Sequence, residues 1–339
     1  MSSLPTPHFS ARRRFLAATA AVTAAPLFIK PQGANAATAS GYPDRPIRYV
    51  SPYPPGGTND LVARVISKPL ADALGTNVVV ENIGGAGGTM GTGNVVRAAP
   101  DGYTILNASS GNLSSAPQII GATYDPLADL VPVGFLGHIR FVFATHPSLP
   151  VQSLAEFIAY AKANPGKINY GTAGTGTGGH IAGEYLRLRT GIDIVHVPYR
   201  GSAPALTDAI AGRVQLVLDP LAAQYVRSGA LRGLAYSGAT HAPDLPGVPT
   251  IDAAGMPDWK ATNFYLAAVP AHTPPPIIDK LTQTFLGLAR NPDIQTKLQS
   301  LGVEILPLDG AATTKLLRAE IAVNNEVIEA AKIPTARTA

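Results

Sequence analysis

The 339-residue chain has no cysteine, one tryptophan and three methionines. Without cysteine there is no disulfide, no thiolate nucleophile and no cysteine-based zinc set, so stability must come from a packed core. Charged residues make up only 14% of the chain and aromatic residues 6%. No long basic run occurs beyond the first residues, which disfavours a nucleic-acid partner. Long hydrophobic runs are missing too. The run 15–29 is rich in Ala and Thr, Pro26 interrupts it, and it falls short of the roughly 20 residues that a membrane span needs. H-E-x-x-H and G-x-S-x-G are absent, and neither Gly-rich loop ends in Gly-Lys-Ser/Thr. These absences speak against a zinc site, a serine-hydrolase elbow and a P-loop. What is present is 46% hydrophobic residues with 34 Gly and 31 Pro. That composition describes a globular chain with ample core and many turns, longer than one typical domain.

Residues 1–36 read as an export leader outside the fold. Arg12, Arg13 and Arg14 precede Phe15 and Leu16, and Ala34-Asn35-Ala36 offers an A-x-A cleavage site, with Ala39 as an alternative end. The Arg-Arg-x-Phe-Leu core resembles a twin-arginine signal. Taking the four basic residues of 1–36 from the chain's 26 leaves 22, against 22 acids. The mature chain is therefore neutral, and a periplasm is the expected destination.

Strand and helix patterns alternate, which predicts an α/β fold. The segment 48–60, RYVSPYPPGGTND, holds a strand, a Pro/Gly turn and a helix start. Thr58, Asn59 and Asp60 are the predicted capping side chains of a helix over 60–74. Residues 77–81 (NVVVE) read as a strand buried on both faces. Residues 135–145 (FLGHIRFVFAT) read as one extended run, and 303–306 as a late strand. A second unit repeats this grammar: strand 168–172, Gly/Thr loop 173–179 (AGTGTGG), helix 180–189, strand 192–197. Gly201 and Ser202 then open a further helix. Two such units predict two lobes with the ligand cleft between them.

A Gly-rich loop opening on a helix leaves unpaired backbone N–H groups and partial positive charge, a site for an anion. Gly56 and Gly57 allow close backbone approach, and Thr58 can cap the helix or donate its hydroxyl. In the second loop Ala173, Gly174, Thr175 and Thr177 can wrap a small anion. This loop formally satisfies G-x-G-x-x-G, but Asp193 begins the next strand where a dinucleotide site needs an acid at its end. His180, at a helix start, either meets a ligand or braces the loop. His196 is expected to be a packed strand histidine. Asp219, at a strand end, either accepts from a ligand amine or hydroxyl or caps the following helix. Tyr53, Phe264 and its neighbours Asn263 and Tyr265 lie beside loops, where they can wall a pocket.

YPDRPIRYVSPYPPGGTNDLVAR, NVVVENIGGAGGTMGTGNVVRAAPDGYTIL, NPGKINYGTAGTGTGGHIAGE, VHVPYRGSAPALTDAIAGRVQLVLD and LPGVPTIDAAGMP stand here in order. From about Tyr42 to about Lys332 the chain resembles a Bug-family solute-binding protein of the tripartite tricarboxylate transporter system. The resemblance implies a two-lobed periplasmic binding fold, type II-like, closing as a flytrap on a carboxylated solute. It implies lobe 1 from 42–142 plus 262–339 and lobe 2 from 143–261. Gly56, Gly57 and Thr58 would grip a carboxylate from one lobe, and Ala173, Gly174 and Thr177 from the other, with His180 and Asp219 near the cleft. The Ser-rich run 109–117, including Asn112, departs from the family pattern, as does Asn263-Phe264-Tyr265. Selectivity is expected around Asn112, Asp219 and Asn263–Tyr265. The expected partners are a small organic carboxylate and the membrane subunits of a transporter. No cofactor, metal or enzymatic activity is expected, and the protein is expected to be a monomer. An exported cofactor-binding oxidoreductase and a solute sensor for a signalling partner are the competing readings.

Overall fold

The computed structural model describes residues 41–238 and 242–336. The leader assigned to 1–36 lies outside these residues. Among the described residues no helix is long and apolar enough to cross a membrane.

Two sheets organise the chain. The first has six strands in the order β11-β4-β10-β3-β1-β2, and the second has five in the order β7-β6-β8-β5-β9. In the first, β1 (Ile47–Ser51) pairs in parallel with β2 (Val78–Asn82) and β3 (Thr104–Ser109). β10 (Phe264–Pro270) runs antiparallel beside β3, and β4 (Leu130–Ile139) beside β10, with β11 (Val303–Glu304) at the edge. The second sheet repeats this layout. β6 (Ile168–Thr172) lies in parallel between β7 (Ile194–Pro198) and β8 (Leu216–Asp219), with β5 (Val142–Thr145) antiparallel next and β9 (Arg232–Tyr236) beyond it.

The helices follow the same logic. α1 (Thr58–Leu74) turns Val62, Ala63, Ile66, Leu70 and Leu74 inward, the spacing of one helical face. These side chains join Ile47, Tyr49 and Ile105 in the core of the first sheet, so α1 starts at a fixed place above the end of β1. Removing a fully buried side chain here, as in Ile66→Ala, costs about 2–5 kcal/mol. α1 stops at Gly75, whose left-handed φ of 70° lets its N–H reach Ala71 O at 2.9 Å. α2 (Thr89–Val96) and α3 (Ala116–Ile119) flank a single π-type turn over Gly111–Ser115. α4 (Leu154–Ala163), α5 (Gly178–Thr190), α6 (Ser202–Ile210) and α7 (Ala222–Arg227) serve the second sheet. α8 (Pro275–Ala289), α9 (Pro292–Ser300) and α10 (Gly310–Ala330) close the chain.

Several expectations need correction. The NVVVE strand is not buried on both faces: β2 pairs only with β1, sits at the sheet edge and leaves Val79 half exposed. The run 135–145 is two strands in different sheets, because the chain passes between them at Arg140 and Phe141. There Ile139 N donates to Asn263 O at 2.8 Å and Phe141 N to Ser237 Oγ at 2.9 Å. The late strand shrinks to two residues. The side chains of Thr58, Asn59 and Asp60 do not cap α1. Gly57 holds the cap position with no side-chain bond, Asn59 Oδ1 accepts from Ser51 Oγ, and Asp60 reaches back to Gly56 N.

Candidate functional site

A cavity opens between the two sheets, with about 530 Å³ of empty space, part of it open to solvent. From the first sheet's side it is lined by Tyr53, Gly57, Thr58, Asn59, Ser109 and Tyr265. From the other side come Ala173, Thr177, Gly178, Gly179, Ser202 and Asp219. Phe141 and Asn263, from the two crossing segments, complete it.

Three helices start at this cavity: α1 after Gly57, α5 after Thr177 and α6 after Gly201. None of the three has a side-chain cap. By contrast α4, α9 and α10 are capped by Ser153, Asn291 and Asp309. Uncapped first-turn N–H groups seek an acceptor, and each helix end carries about half a positive charge. Thr58 adds a second kind of donor. Its Oγ1 is buried on a residue only 3% exposed and has no hydrogen-bond partner, although it is near enough to Tyr265 to bear on that phenol's ionisation. Burial raises the Tyr265 phenol well above its ordinary value and holds the Tyr53 phenol at about 12, so both stay neutral donors.

Glycine is required where α5 begins. A Cβ at Gly179 would lie 2.6 Å from Leu218 O, and one at Gly178 would collide with the Asn263 side chain. The helix end can therefore press against β8 and the crossing segment only without side chains.

Tyr53, Gly57, Thr58, Ala173, Thr177 and Asp219 meet at the cavity, as do Asn263 and Tyr265, which the sequence placed as pocket walls. Six others singled out in the sequence do not line it. Gly56 has a φ of 82° and gives its N–H to Asp60 Oδ2 at 3.0 Å. Asn112 is fully buried beneath Ser109, accepting from Ser109 N at 2.7 Å and donating to Thr92 Oγ1 at 2.6 Å. Gly174 O accepts from Thr177 Oγ1 at 2.7 Å, which closes the second loop on itself. Thr175 turns its carbonyl toward Gly87, where a Cβ would stand 2.7 Å away. His180 Nδ1 accepts from Gly176 N at 3.2 Å and its ring stacks 4.1 Å from His196, so it braces the loop. Burial holds both imidazoles below their usual pKa, His196 at about 3. Phe264 packs in the core 5.8 Å from Phe135.

Asp219 is 3% exposed, and its Oδ1 accepts from Leu221 N at 2.9 Å. Burial pushes its carboxyl up to about 6, with the Ser202 hydroxyl and Leu221 N–H pulling the other way. The third helix start, at Gly201 and Ser202, joins the site only in the fold. Its signal was present: a strand, a short turn with Gly, then a helix, as in the two loops that were found.

The tripartite tricarboxylate transporter family receptor pattern (TctC) matches residues 62–333. The chain belongs to this receptor family. It is 39% identical over 261 residues to protein BugT of Bordetella pertussis, covering 74% of this chain and 79% of that protein. An R. palustris protein solved with adipate superposes with a TM-score of 0.82 at 32% identity, over 86% of this chain and 99% of the other. MatC from Rhodopseudomonas palustris, with bound malate, gives 0.79 at 28% identity over 85% and 100%. The fold is that of the two-lobed periplasmic binding proteins, with a ligand cleft between the lobes. Like its relatives in the TctC family, the chain is built as a solute-binding receptor.

Proposed function

We propose that this TctC-family protein is a periplasmic receptor that captures a small organic carboxylate and delivers it to the membrane subunits of a tripartite transporter. In this reading lobe 1 comprises 42–141 and 262–339 and lobe 2 comprises 142–261, one residue from the expected boundary because Val142 pairs with Asp219 and Tyr236 in the second sheet. The observation that carries this reading is the convergence of three uncapped helix starts on one cavity that also holds the orphaned Thr58 hydroxyl. A carboxylate has two oxygens with about four acceptor sites, which suits several convergent donors. No lysine, arginine or histidine lines the described cavity, so helix dipoles supply the positive field. Adipate and malate in the solved relatives are consistent with this ligand class. In this reading the protein is a carrier, not an enzyme, and works as a monomer.

The test is a thermal-shift screen over mono-, di- and tricarboxylates, followed by calorimetry. Binding to the folded state raises the melting temperature by mass action, by about 2.7 kcal/mol of stability at a hundredfold excess over Kd. At least one carboxylate is expected to give such a shift. A flat response across the panel, with amides or sugars binding instead, would overturn the reading.

A further inference from the structure

Asp219 stands apart in its cavity. Among the described lining residues it is the one acid, in a pocket otherwise built of N–H and O–H donors. It faces neutral groups, the Tyr265 phenol and the Ser202 hydroxyl, while the Tyr53 phenol on the same cavity is turned to Gly87 O and Ser109 Oγ. Its Oδ1 accepts from Leu221 N at 2.9 Å. The Ser202 hydroxyl within range of its carboxyl belongs to the first residue of α6, one of the three helices whose N–H groups open on the cavity.

A carboxylate held at those N–H groups therefore has the Asp219 carboxylate as a near neighbour. Two anions side by side in a buried site repel strongly, and neither has a cation to turn to. A donor carried by the ligand itself resolves the conflict. Placed on the carbon next to the gripped carboxylate, a hydroxyl or ammonium can give its proton to Asp219 while the carboxylate stays on the helix starts. We infer that Asp219 is a specificity-determining residue that makes this receptor select α-hydroxy or α-amino carboxylates over carboxylates that lack a donor. This rests on the carboxylate reading above. Burial raises the Asp219 carboxyl to about 6, so in the empty site it is still mostly charged and able to accept at pH 7.5.

Matched acids test it. Succinate, malate and aspartate share one carbon skeleton and differ at a single substituent. Calorimetry at pH 7.5 is expected to show malate or aspartate binding on the order of tenfold to a hundredfold tighter than succinate, the range of a hydrogen bond to a charged acceptor. In Asp219→Asn the Leu221 bond can be kept through the amide oxygen, and the preference is expected to shrink to within about threefold. Equal affinities in the natural protein would overturn the inference while leaving the carboxylate reading standing. So would tighter succinate binding with proton uptake as the pH falls from 8 to 6, because Asp219 would then act as a donor. If none of the three acids and no other carboxylate binds, the carboxylate reading itself fails. The comparison within the natural protein stands even if the variant misfolds.

Discussion

Thr58 and Thr177 look equivalent in the sequence, each a threonine after a Gly-rich loop. Their hydroxyls differ in the fold. Thr177 Oγ1 is committed to Gly174 O at 2.7 Å, so its loss would loosen the loop as well as the grip. Thr58 Oγ1 is buried and unpartnered. A buried hydroxyl without a partner costs free energy in the empty protein and repays it only when an acceptor arrives. Thr58→Val removes that hydroxyl at nearly constant shape and nearly equal helix propensity. We expect the unliganded variant to melt at the same temperature or slightly higher, and its carboxylate affinity to fall on the order of tenfold. Calorimetry beside a melting curve decides it. A variant that binds as tightly as the natural protein would remove Thr58 from the site.

At the scale of elements, α10 carries a hidden carboxyl. Glu320 is buried and accepts from Thr262 Oγ1 at 2.8 Å, next to the segment that returns the chain to the first sheet. Its Oε1 and the Oδ1 of Asn324, four residues on, are both without partners. Burial pushes the Glu320 carboxyl up to about 7 from 4.5, with the Thr262 hydroxyl and the nearby Asn324 side chain pulling the other way. The folded state thus holds a proton that the unfolded state has released. Its contribution is fully present below pH 4.5 and is lost as the pH rises through about 7. Glu320→Gln keeps an acceptor for Thr262 and places an N–H₂ where Asn324 Oδ1 lacks a donor. Melting curves from pH 5 to 8 should show the variant gaining most above pH 7, by a few kcal/mol at most. A natural protein that is equally stable relative to the variant at pH 5 and pH 8 would count against this.

What the sequence disclosed at this scale was the strand–glycine–helix grammar. That is why the loops at 54–58 and 173–179 and the α/β class were legible. FLGHIRFVFAT was not, because an unbroken extended pattern looks the same whether it stays in one sheet or passes between two. NVVVE misled for a related reason: apolar β-branched residues suit a pleated surface, and nothing local tells an edge from a centre. The inward or outward fate of His180 depended on His196, sixteen positions away on strand β7, which only the fold brings into a stack with it.

For the whole molecule, the two sheets meet as well as face each other. Ser115 Oγ, from the first sheet's side, donates to Gly176 O of the second loop at 2.6 Å, and both residues are buried. Gly201 approaches Pro54, so that a Cβ there would stand 3.6 Å from it. This is the geometry of a shut cleft. Solution scattering is expected to show a more compact particle with a saturating carboxylate than without, because closure buries the ligand between the lobes. Identical curves would speak against a hinged receptor. Ser115→Ala should loosen the shut form by about 1 kcal/mol and lower the apparent affinity about fivefold, although Ser115 lies outside the cavity.

The three helix starts have one more consequence. Their donors are peptide amides, which every residue except proline supplies in the same form. An alanine scan would leave these donors in place, and at Gly178 and Gly179 it would read out the collision of the added Cβ instead. On the proposed reading, substitutions in the cavity walls change which solute fits, while the backbone donors that grip its anionic end stay as they are.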